Sequence, residues 1–66
     1  MTERKVYRVE IYCNGSCIAS ELFTSKARAD KWTRYQLSTN AKFTANQFWL
    51  FRRQLTDYER AKLDRA

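Results

Sequence analysis

The stretch Phe48-Trp49-Leu50-Phe51-Arg52-Arg53 sets three aromatics, a leucine and two arginines in six consecutive positions of a 66-residue chain, and its secondary structure decides the fold. As a strand, it presents alternate aromatics as a stacking platform of the kind that binds single-stranded nucleic acid. As a helix, it divides into a core stripe and a basic outer edge. The residues before it favour the helix. Thr44 and Gln47 have the Ser/Thr-x-x-Glu/Gln spacing of a capping box, and Phe43 and Phe48 take the flanking positions of a hydrophobic staple. Phe48, Phe51, Leu55 and Tyr58 then recur at intervals of three and four, the stripe of a helix with one buried face. A strand covered by a single helix would bury only one of the sets Phe48/Leu50 and Trp49/Phe51, a heavy cost for a small domain. A helix over about 45–64 is therefore expected, with Thr56-Asp57-Tyr58-Glu59 as a competing signal. That second capping box fits a third strand at about 47–54 followed by a short helix.

Upstream, two β-branched and aromatic runs flank Asn14-Gly15, the preferred pair for a type I′ turn, and predict a β-hairpin over about 5–24. Setting Cys13 opposite Ser16 pairs Ile11 with Ile18, Tyr7 with Leu22, Val6 with Phe23 and Arg8 with Glu21. One face then carries Tyr7, Val9, Ile11, Ile18 and Leu22, interrupted by Ser20. Ser25 follows as the N-cap of a helix over about 26–39, with Asn40 as a left-handed stop. On that helix Ala29, Trp32, Thr33, Gln36 and Leu37 share one side, and Arg28, Lys31, Arg34 and Tyr35 share much of the other. The expected fold is α+β in the order ββαα, the alternative being ββαβα, in a single small domain spanning residues 1–66.

Tyr7-Arg8, Asn14-Gly15, Ile18-Ala19, Ser20-Glu21 and Phe23-Thr24-Ser25-Lys26-Ala27, closing at Ala29, resemble the short repeat of the YegP-like family of small bacterial proteins. The resemblance spans residues 7–29 and departs at Asp30-Lys31-Trp32, and the aromatic C-terminal third has no counterpart in it. It implies a hairpin-plus-helix topology and brings no assigned reaction or catalytic residue.

Little in the chain supports catalysis. There is no histidine, which removes the usual general base and the commonest nitrogen ligand for metals. Cys13 and Cys17 flank the turn on opposite hairpin faces, so two free thiols are expected and neither a disulfide nor a zinc site. No carboxylate pair combines adjacency with an apolar setting that would separate an acid from a base, and a single glycine excludes a glycine-rich phosphate loop. A non-enzyme without cofactor or metal follows. With no signal-peptide core and no membrane-length apolar run, a cytoplasmic protein without membrane attachment is expected.

Charge points to an acidic partner. Thirteen Lys plus Arg oppose seven Asp plus Glu, a net +6, and eight of the cations are arginine, whose planar fork suits phosphates and carboxylates. Two basic surfaces are expected: Arg28, Lys31, Arg34 and Tyr35 on the first helix, and Trp49, Arg53, Thr56 and Arg60 in a line on the second, with Arg52 beside it. Nucleic-acid binding through phosphate contacts, with Trp49 or Tyr35 stacking on bases, is the leading reading. The alternative is a protein-interaction module, such as a small phage or mobile-element inhibitor or adaptor seated on an acidic host surface. The same aromatic patch also suits a homodimer.

Overall fold

Asn14 and Gly15 both take positive φ, 53° and 81°, and fold the first strand back on the second as a type I′ turn requires. The computed structural model describes residues 4–65, in the order β1 (Lys5–Cys13), β2 (Ser16–Phe23), α1 (Lys26–Thr39), β3 (Phe43–Phe51), a one-turn 3-10 helix (Arg52–Gln54) and α2 (Asp57–Arg65). The strands form one antiparallel sheet in the order β2-β1-β3. The class is α+β as expected, but the order is ββαβα rather than ββαα.

The segment expected to open a helix at residue 45 is therefore an edge strand, paired with β1 from Lys5↔Phe51 to Cys13↔Phe43. A capping box contributes about 1 kcal/mol at one helix end, and the ladder along β3 outweighs it. The burial cost held against a strand assumed one covering helix, whereas two helices cover opposite faces. On one face Val9, Ile11 and Ala29 are fully buried, with Tyr7, Ala19, Phe23, Trp32 and Phe43 packed around them under α1. On the other, Val6, Leu55 and Leu63 form a second core with Leu22 and Leu50, under α2. Alternate residues of β1 thus feed two cores, as strand geometry dictates. Tyr58, expected in the core stripe, is 78% exposed.

The hairpin register departs from expectation by one residue past Ile18. Cys13↔Ser16 holds, but a bulge between Ile11 and Tyr12 sets Ile11 opposite Ala19, Arg8 opposite Leu22 and Tyr7 opposite Phe23. The extra residue, Ile18, is left exposed. The shift sends Phe23 to the α1 face and Leu22 to the α2 face, so each core receives one of them. The regular register placed Leu22 on the α1 face. Arg8 consequently pairs with Glu59 on α2, and Glu21 lies 3.7 Å from Lys62.

Helix α1 occupies the predicted residues with Ser25 at its N-cap, whose carbonyl accepts from the Ala29 N–H (3.1 Å) while its side chain makes no capping bond. Asn40 is extended (φ −157°) rather than left-handed; its side-chain oxygen accepts from the Lys42 N–H and its carbonyl from the Phe43 N–H, turning the chain directly into β3. Leu37, expected inside, is exposed on the flank of α1. The capping box at the start of α2 forms as read: the Glu59 N–H donates to Thr56 Oγ1 (3.1 Å) and the Thr56 N–H to Glu59 Oε1 (3.0 Å). Among the described residues no helix is long and apolar enough to cross a membrane.

Candidate nucleic-acid interface

Among the described residues, two cations of helix α1, Arg28 and Lys31, take part in no ion pair, while Lys26 is held by Asp30. Successive residues advance by about 100°, so Arg28, Trp32 and Tyr35 fall on the flank of the helix nearest β2, with Lys31 just outside them. Trp32 leans on Phe23 at the end of β2, ring centroids 5.7 Å apart and planes inclined at 51°. Together Phe23, Arg28, Lys31, Trp32 and Tyr35 line an open groove of about 370 Å³. Its surface is apolar, made by the three rings and the aliphatic stems of Arg28 and Lys31. Tyr35 is 65% exposed and presents a ring to solvent. Arg34 continues the cationic side along the helix, within electrostatic reach of Asp30.

Five other cations, Lys26 of α1 among them, are engaged in ion pairs. Arg8 pairs with Glu59, Lys26 with Asp30, Arg52 with Asp64, Arg60 with Asp57 and Lys62 with Glu21. Among the described residues, Arg28 and Lys31 take part in no ion pair, so the unneutralised charge on α1 gathers beside the groove. The Asp30 carboxyl is held below its ordinary range by hydrogen bonds from Lys26 and then Gln47, on the opposite flank of the helix.

A second aromatic group sits at the far edge of the same sheet face. Phe23, Tyr7 and Trp49 stand in one row across β2, β1 and β3. Trp49 is 51% exposed, meets Phe51 edge to face at 5.2 Å, and has the Lys5 ammonium over its ring at 4.8 Å. The Arg53 guanidinium lies 5.4 Å from the Phe51 ring centroid. Cation and ring here satisfy one another.

Of the expected site residues, the structure gathers Arg28, Lys31 and Tyr35 in one groove with Arg34 alongside. Trp49 and Arg53 stand near each other at the end of β3. The expected line of Trp49, Arg53, Thr56 and Arg60 on one helix does not exist, because a strand and a turn separate Trp49 from α2. Arg52 and Arg60 face Asp64 and Asp57. Phe23, Trp32, Lys5 and Phe51 were not expected in a site. Trp32 was assigned to the buried side of α1, and only the bulge that turns Phe23 toward it makes the pair.

Two other surfaces are less suited to an anion. A cleft of about 410 Å³ between β1, the 3-10 turn and α2 is lined by Arg4, Lys5 and Arg52, but also by the Asp64 carboxylate that closes Arg52. The uncovered part of the α2 face has Phe48 39% exposed beside Arg8, Glu10 and Tyr12. There Glu59 neutralises Arg8, and the Tyr12 hydroxyl donates to Glu10, which raises the phenol pKa. The described residues contain no cluster of potential metal ligands, and both cysteines are free thiols.

No family model, curated protein or solved structure matches this chain.

Proposed function

We propose that this chain is a non-enzymatic nucleic-acid-binding protein that holds a single-stranded segment along α1. The observation that carries the reading is the groove lined by Phe23, Trp32 and Tyr35 with the side chains of Arg28 and Lys31, which among the described residues take part in no ion pair. Phosphates engage the cations while an unpaired base stacks on Tyr35 or Trp32; stacking tolerates any base, so the binding is not sequence-specific. A duplex hides the faces of its bases and offers only the phosphate part of this interaction.

The test is fluorescence anisotropy of a labelled single-stranded oligonucleotide across a salt series. Three phosphate contacts, from Arg28, Lys31 and Arg34, give a slope of log affinity against log salt of about −2. Absence of binding at low salt, or binding indifferent to salt, refutes the reading.

A protein partner with an acidic surface is the second reading. It is supported by Trp49, half exposed next to Lys5, since tryptophan beside cations anchors many protein interfaces. A partner that survives nuclease treatment in affinity purification, and is lost with Trp49→Ala, supports it over the first.

A further inference from the structure

The sheet has two open edges, and they are guarded differently. Strand β2 carries a bulge at Ile18 and a glutamate, both features that discourage edge-to-edge pairing. Strand β3, Phe-Thr-Ala-Asn-Gln-Phe-Trp-Leu-Phe, has no charged residue, no proline and a register without interruption over nine residues.

The hydrogen bonds show which backbone groups face outward. The Arg52 N–H donates back to Arg4, whereas the Phe51 N–H turns away from β1 and donates to the Gln54 side chain (2.8 Å). Antiparallel strands alternate, so the N–H and C=O groups of Trp49, Gln47 and Ala45 point away from β1 as well. At the other end the Phe43 N–H is taken by Asn40. Both ends of the edge are closed, and the middle is open.

We propose that β3 pairs antiparallel with β3 of a second copy of this chain, about a two-fold axis at Gln47, to make a continuous six-stranded sheet. In this register Gln47 meets its own counterpart, small Ala45 lies opposite large Trp49, and Asn46 lies opposite Phe48. The two half-exposed aromatics each gain an apolar or amide neighbour and no charge is buried. The axis runs perpendicular to the sheet, so both α1 helices lie on the same side of the dimer. This proposal stands apart from nucleic-acid binding and responds oppositely to salt: screening the net charge of two +6 protomers favours the dimer, while it weakens phosphate contacts.

Light scattering after size exclusion, with amide hydrogen exchange followed by NMR, tests it on the unmodified chain. The expected result is twice the chain mass, with the Ala45, Gln47 and Trp49 amides protected and their protection falling on dilution. Ala45→Pro removes one outward donor while leaving the β1 ladder intact, and is expected to give a monomer with an unchanged circular dichroism spectrum. A monomer at NMR concentrations overturns the proposal. So does a dimer in which these three amides exchange freely, or one that persists in a folded Ala45→Pro variant.

Discussion

Arg8 in the central strand and Glu59 in the first turn of α2, 51 residues apart in sequence, meet as a half-buried ion pair on the sheet face opposite α1. Glu59 also closes the capping box with Thr56, so one carboxylate both starts the helix and ties it to the sheet. Glu59→Gln keeps an acceptor for the cap and loses the charge pairing. Thr56→Ala loses the cap. Thermal denaturation is expected to show a loss of about 1 kcal/mol for Thr56→Ala and of no more than about 1 kcal/mol for Glu59→Gln.

The same carboxylate predicts a pH dependence. Hydrogen bonds from Thr56, assisted by Arg8, lower the Glu59 pKa below its ordinary value of 4.5. A group with a depressed folded pKa contributes stability that is fully present above the unfolded value and is lost as pH falls through the folded one. Stability should therefore decline below about pH 4.5, and Glu59→Gln should make that decline shallower. Asp30, also shifted downward, leaves a residual slope.

Leu63 tests whether α2 is a structural cover rather than an appendage. It is buried with Val6 and Leu55, while Lys62 and Asp64 on either side of it are exposed. Leu63→Ala is expected to cost about 2–4 kcal/mol, a large share of the stability of a 66-residue domain. Urea denaturation followed by circular dichroism measures it; a loss under about 1 kcal/mol means that the second core contributes little.

Arginines of equal charge should differ in their effect on binding. Arg28→Ala combined with Lys31→Ala is expected to weaken oligonucleotide affinity about tenfold or more, each lost phosphate contact being worth on the order of 1 kcal/mol. Arg52→Ala combined with Arg60→Ala removes the same formal charge from cations that Asp64 and Asp57 already engage. That variant should bind within about threefold of the unmodified chain at physiological salt, where distant charges are screened. Equal losses in the two variants would mean that net charge alone drives association.

At the hairpin turn, Gly15→Ala separates backbone strain from crowding. A Cβ at this position meets nothing within 4 Å, yet φ is +81°. The expected cost of about 1–2 kcal/mol comes from conformation alone, and thermal denaturation should show it without loss of the native fold.

The two thiols should react at different rates. Cys17 is exposed and Cys13 half-buried. A thiol reagent is expected to modify Cys17 first, and native-state titration to count two thiols without a reductant.

Elements defined by neighbours in sequence were legible. Asn14-Gly15 needs only its own φ angles to turn a hairpin, Ser25 and its followers mark α1, and Thr56 and Glu59 lie three residues apart in the capping box that forms. The cations Arg28, Lys31 and Arg34 could be placed on the outer side of α1 because helical periodicity alone puts them there. Elements defined by partners distant in sequence were not. Thr44 and Gln47 satisfy the local requirements of a capping box, and Phe48, Phe51, Leu55 and Tyr58 those of a helical stripe, yet β3 forms because β1 supplies hydrogen-bonding groups along its length. The bulge at Ile18 was invisible for the same reason, since its benefit is the delivery of Phe23 and Leu22 to cores on opposite faces.

The sequence by itself determined the hairpin turn, the first helix, the basic charge and the absence of histidine, all of which rest on backbone preferences and composition. Tertiary structure alone decided Phe48 to Arg53. Whether that run is strand or helix depends on a ladder with β1 and on a helix that arrives later to cover the second face. Only once both are in place do Leu50 turn inward and Trp49 outward, while the bulge in the hairpin turns Phe23 toward Trp32 to build the groove.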